Sequence, residues 1–161
     1  MHDRRLTGNP VHTWAGVSSA DLHLANIQYD IVGNIMTTDL ITAQSSDPLE
    51  LVLTIMNWRK IRHMPVEDEQ GIITGILTRR RIENYLASTN ANPNAIAEDI
   101  MIKDPICIDA SCNIMEAMDL MLQKKISCLP VIQNAQLVGL ITDFDLTNVQ
   151  KKLKSRIPRA D

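Results

Sequence analysis

The chain contains the same pattern twice. Residues 31–66 lie on residues 96–131 without a gap, matching Ile31/Ile96, Ile35-Met36/Ile100-Met101, Asp39/Asp104, Ile41/Ile106, Ser46/Ser111, Met56/Met121, Lys60-Ile61/Lys125-Ile126 and Pro65-Val66/Pro130-Val131. One residue is then lost in a turn, after which Gly75-Ile-Leu-Thr78 falls on Gly139-Leu-Ile-Thr142. A register this steady marks an internal duplication, which constrains the fold more than any local propensity does. One copy of about 60 residues buries too little surface to be sturdy alone, so two copies are expected to share a core.

Each copy reads as β-α-β-β-α, an α+β architecture. A short strand (Leu40–Ala43, Ile106–Ile108) leads to a helix opened by Asp47-Pro48-Leu49-Glu50 or by Asn113-Ile-Met-Glu116, both capping patterns. Leu49, Val52, Leu53 and Met56 recur at helical spacing, as do Ile114, Met115, Met118, Met121 and Leu122. A hairpin follows (Ile61–Val66 to Ile72–Leu77, and Ser127–Ile132 to Leu137–Ile141), then a closing helix, Thr78 to about Ser88 and Thr142 to about Leu153. The expected organisation is an arm and short helix over 1–30, the helix running from Ser18 to about Tyr29, a first repeat over 31–88, a polar linker over 89–94, a second repeat over 95–153 and a tail over 154–161. Two such repeats packed through their sheets about a pseudo-twofold would leave a related cleft on each side.

Composition narrows function by exclusion. Net charge is −3, which argues against a generic nucleic-acid binder, and the basic tail from Lys151 to Arg156 reads as a solvated helix end. No apolar run approaches membrane-spanning length, and the first residues lack the apolar segment of a signal peptide. Cys107, Cys112 and Cys128 are odd in number, lack metal-ligand spacing and sit among apolar neighbours, so reduced, buried thiols in a cytoplasmic protein are expected. His2, His12 and His23 are too scattered for a metal site. No nucleophile–base pair and no Walker-type loop is present, so the chain does not read as an enzyme.

The second repeat's Gly139-Leu-Ile-Thr142-Asp-Phe-Asp145 ends a buried strand in a threonine at a helix start. Such a turn aims a hydroxyl, free backbone N–H groups and a carboxylate at one small volume, a seat for a sugar phosphate. The same residues also spell a capping box, in which Thr142 and Asp145 serve only their helix. In the first repeat, Thr78-Arg-Arg-Arg81 is no capping box.

These elements together resemble a tandem pair of CBS domains, the cystathionine β-synthase motif, over about residues 31–153. The resemblance rests on Ile-Met-x-x-Asp, on the strands ending Arg62-His-Met-Pro-Val66 and Ser127-Cys-Leu-Pro-Val131, and on the 139–145 turn. It implies a non-catalytic regulatory module, commonly a homodimer, that requires no cofactor. Such a module binds AMP, ADP or ATP, or else S-adenosylmethionine or NAD, and signals to an attached effector domain or partner enzyme. Carried over by position, Thr142 meets phosphate or ribose oxygen and Asp145 grips the ribose hydroxyls. Ile141 and Phe144 flank that turn. Met36, Asp39 and Ile41 surround the base, with Ile61 and Arg62 beside it, and Arg62 and His63 serve as phosphate partners or, alternatively, form a solvated strand end. The second cleft would use Thr78 and Arg81 with Asp104, Ile106, Ile126 and Ser127 opposite. Arg81 cannot accept a hydrogen bond from a ribose hydroxyl, so this cleft is expected to be weak or empty, or to favour a phosphate-rich ligand. The competing reading is a ligand-free dimerisation or scaffolding module, supported by that degenerate motif and by the Met-rich helix faces.

Overall fold

The computed structural model describes residues 2–3 and 31–154. The remainder of the expected arm, its Ser18–Tyr29 helix and residues 155–161 of the tail lie outside the described residues. In chain order the elements are β1 (His2–Asp3), a 3-10 turn (Val32–Asn34), β2 (Ile41–Thr42), α1 (Leu49–Trp58), β3 (His63–Glu67), β4 (Ile73–Thr78) and α2 (Arg79–Leu86). Then follow α3 (Ala97–Ile100), β5 (Ile102–Lys103), β6 (Ile108–Asp109), α4 (Ile114–Lys124), β7 (Cys128–Gln133), β8 (Gln136–Thr142) and α5 (Asp143–Lys154). The strands form small sheets, β1-β2, β3-β4-β5 and β6-β7-β8, with β3 antiparallel to β4 and β6 parallel to β7. The architecture is α+β, built from the two expected repeats.

The chain divides into two compact units that do not coincide with the repeats. One comprises Asp39–Ile106 together with 134–137, the other 31–38 with Cys107–Gln133 and the chain from Val138. Each repeat therefore sends its leading Ile-Met segment into the unit that holds the other repeat's hairpin. In the first unit β5 pairs with β4, Gly75 opposite Lys103 and Ile76 opposite Ile102. In the second, Thr37 and Leu140 exchange backbone hydrogen bonds of 2.8 and 2.9 Å.

Each unit has its own core. Ile41, Leu49, Val52, Met56, Met64, Val66, Leu77, Ile82, Ala97, Ile100 and Met101 cluster in the first, and Val32, Met36, Ile114, Met121, Leu129, Val131, Ile141 and Leu146 in the second. Glycine makes the two Ile-Met dockings possible. A Cβ on Gly139 would collide with Met36 Sδ and lie 2.9 Å from its Cγ and 3.1 Å from the Thr37 carbonyl oxygen; on Gly75 it would meet Met101 Cγ at 2.9 Å and the Ile102 carbonyl oxygen at 3.2 Å. Gly139→Val is accordingly expected to cost about 1–3 kcal/mol by overpacking, read as a lowered midpoint in urea with an unchanged slope.

Helix starts follow the sequence in part. Asn113 caps α4, accepting from Met115 N at 2.7 Å while Glu116 accepts from Asn113 N at 3.4 Å. At α1 the expectation needs correction: Pro48 is the N-cap, and the Asp47 carboxylate instead accepts from Gln44 N at 2.9 Å, closing the preceding turn. The strand expected over Ile106–Ile108 lies at Ile108–Asp109, where pairing with Val131 and Ile132 sets the register.

Candidate functional site

The strand-to-helix turn from β8 into α5 carries the most built geometry. Thr142 ends β8 and Asp145 sits in the first turn of α5, both half-buried. Asp145 Oδ2 accepts from Thr142 N at 2.8 Å and from Thr142 Oγ1 at 2.7 Å, while Asp145 N donates to Thr142 Oγ1 at 3.4 Å. This is a capping box: the carboxylate supports its own helix. Only one of its oxygens is engaged, since Oδ1 accepts from no group among the described residues. An ionised carboxylate offers about four lone-pair sites, so half of the acceptor capacity remains on Oδ1. The cap and the sugar-binding reading are therefore compatible, with the cap fixing the carboxylate's orientation.

The same unit holds Met36, Ile141, Phe144, Ile126 and Ser127. Ile141 is fully buried and Met36 nearly so, packed against Gly139, and both belong to the core. Phe144 is 62% exposed beside the turn. Asp143 N donates to the Ser127 carbonyl at 3.0 Å, which ties the start of β7 to the turn. Ser127, Ile126 and Asp143, with Met118, Met121, Leu122, Leu146 and Thr147, line a groove of about 280 Å³ between α4 and α5. The Met and Leu positions of α4 were legible as a soft apolar stripe, but the groove was not.

The first unit holds Asp39, Ile41, Ile61, Arg62, His63, Thr78, Arg81, Asp104 and Ile106. Ile41 is buried in the core, and Ile61 packs against it. Asp39 pairs with Arg59 at 3.3 Å across a largely exposed surface. Asp104 adopts a left-handed φ of 49°, its N–H reaching the Thr74 carbonyl at 3.4 Å, and Ile106 is 38% exposed. Arg62 and His63 were expected opposite Thr142. Within their own unit they stand beside Thr78, with His63 paired to Thr78 in the sheet and Arg79 N donating to the Arg62 carbonyl at 2.9 Å.

The Thr78 turn is capped differently from its counterpart. Thr78 Oγ1 accepts from Arg81 N at 3.2 Å, and the Arg81 side chain donates through Nε to the carbonyl of Ile100. Arg79 pairs with Glu83 at 3.5 Å, which offsets a cation that the helix dipole disfavours at an N-terminus. Among the described residues no group of three His, Cys, Asp or Glu is placed to hold a metal, and no helix is long and apolar enough to cross a membrane. None of the three cysteines is in a disulfide: Cys128 is buried, whereas Cys107 and Cys112 are half-buried rather than buried as expected, and desolvation pushes both of the latter up from the ordinary thiol range.

Comparison with known proteins places these turns in context. The model of the CBS domain matches residues 32–88 and again 97–152. A CBS domain pair of protein MJ0100, solved in complex with 5′-methylthioadenosine and S-adenosyl-L-methionine, superposes with a TM-score of 0.70 at 26% identity, covering 76% of this chain and 97% of that one. A homoserine O-acetyltransferase of Methanococcus vannielii is 29% identical over 73% of this chain, and an inosine-5′-monophosphate dehydrogenase of Thermoplasma acidophilum 30% identical over 73%. The match spans only 24% and 23% of those two enzymes.

Proposed function

Because the chain belongs to the CBS domain family, we propose that it is a regulatory module that binds an adenosine-containing ligand through the Thr142–Asp145 turn and passes occupancy to an attached or partner protein. The observation that carries this reading is the divided carboxylate of Asp145, with Oδ2 fixed on Thr142 and Oδ1 left for an outside donor. Adjacent ribose hydroxyls are suited to such an acceptor, as in dinucleotide folds. The two ligands of the MJ0100 domain pair share an adenosine moiety, which supports recognition of the nucleoside rather than of what is attached to its 5′ carbon. An adenine nucleotide (AMP, ADP or ATP) is the ligand we favour, with S-adenosylmethionine and NAD as further members of the class. The module is not itself catalytic in this reading, and the enzymes it resembles are far longer than the matched region.

Homodimerisation is part of the same proposal. Met115 and Leu122 on α4 and Phe144 on α5 are 61%, 74% and 62% exposed, soft apolar surface that a second copy would cover. Those side chains also favour the alternative of a ligand-free dimerisation module. Thermal denaturation against AMP, ADP, ATP, S-adenosylmethionine and NAD separates the two readings. Ligand at 100 times its dissociation constant adds about 2.7 kcal/mol of stability, a midpoint rise of roughly 5–10 °C for a chain of this size. No rise with any of the five leaves the scaffold.

A further inference from the structure

Arg81 stands in the first repeat where Asp145 stands in the second, and the two side chains do opposite things. Asp145 turns back onto Thr142. Arg81 reaches away from its own helix, and its Nε–H donates to the carbonyl of Ile100, the last residue of α3. That carbonyl is among the four at a helix C-terminus that have no partner within the helix. The residues just after it dock the leading segment of the second repeat: Met101 lies against Gly75, while Ile102 and Lys103 pair with Ile76 and Gly75. The counterpart of Ile100 in the other unit is Ile35, and an ionised carboxylate at 145 has no proton to give a carbonyl.

We infer that Arg81 converts the first copy of the turn from a sugar-binding motif into a structural latch, so that the chain carries one nucleoside-binding turn, not two. The counting half of this inference rests on the function proposed above, whereas the latch does not. A guanidinium accepts no hydrogen bond, so it offers a ribose hydroxyl nothing in place of the missing acid. Its engagement with Ile100, like the Arg79–Glu83 pair, gives one of the three successive arginines a partner where the helix dipole disfavours cations. The latch acts on one leading segment only. Residues 97–103 are held by a side chain of the following helix as well as by backbone pairing, and residues 32–37 by backbone pairing and by Met36 on Gly139.

Amide hydrogen exchange on the full chain tests the latch without any ligand. Arg81→Ala is expected to speed exchange at Met101 and Asp104 at least tenfold, while Thr37 and Leu140 exchange as before; Arg81→Lys, which retains a cationic donor, restores part of the protection. Unchanged exchange at Met101 and Asp104, or equal acceleration at Thr37 and Leu140, overturns the latch. Native mass spectrometry with AMP and 5′-methylthioadenosine tests the count: one nucleoside per chain in the wild type and in Arg81→Ala supports it, and a second equivalent on the wild type overturns it. If neither compound binds the wild type, the sensor reading and the count fall together, and the exchange result still decides the latch.

Discussion

A fragment of residues 31–88, the first repeat as the sequence delimits it, is expected to show no cooperative thermal transition, whereas 39–106 melts as a folded unit. The two fragments share α1, the β3-β4 hairpin and α2. They differ in what completes the core. Ala95, Ala97, Ile100 and Met101 belong to the first unit's buried cluster and are absent from 31–88. Burying Ile100 and Met101 contributes about 1.5–3 kcal/mol each, and a single core of this size supplies only about 3–5 kcal/mol in total. Losing both therefore removes most or all of the margin. The β5 pairing to β4 and the Arg81 bond to Ile100 go with them. Residues 31–38, which 31–88 retains, contribute nothing there because their partners lie in the other unit. Circular dichroism against temperature distinguishes the fragments, and equal cooperative melting of both would contradict the interlaced arrangement.

Asp145→Ala is expected to lower affinity for the adenosine-containing ligand by roughly 10- to 150-fold, the equivalent of about 1.5–3 kcal/mol for hydrogen bonds to a charged acceptor. It also strips the cap from α5, which costs about 0.5–2 kcal/mol of stability. The two effects separate with Asp145→Asn. An asparagine oxygen still accepts from Thr142 N, so most of the cap survives, but the charge and the second carboxylate oxygen are gone. The expected pattern is stability near wild type with binding near that of the alanine variant, measured by denaturation and isothermal titration. Asparagine binding like wild type would make the acid a helix cap and nothing more.

The repeat made the element order legible because it shows every periodicity twice. The capping box at Asn113 and Glu116 was readable for the same local reason, since side chain and backbone partners lie three residues apart. Partnership between copies was not readable. Two segments with the same Ile-Met pattern fit either hairpin by sequence, and only the fold selects the other copy's glycine for each. The motif match located Met36, Ile41 and Ile141 but not their direction, and all three face their cores. The partner of Arg81 is a backbone carbonyl far along the chain, which no side-chain pattern announces. Lys60 and Lys125 form another hidden pair. Both end their helices at a left-handed φ of 54°, where glycine is the usual signal, and the N–H after each returns to the helix at 3.0 Å.

The crystal structure of the chain with AMP bound tests the central claim most directly. A ribose hydroxyl is expected within about 2.5–3.0 Å of Asp145 Oδ1, with Oδ2 still on Thr142. AMP seated with both ribose hydroxyls on other groups, and Asp145 touching only its own helix, would contradict it.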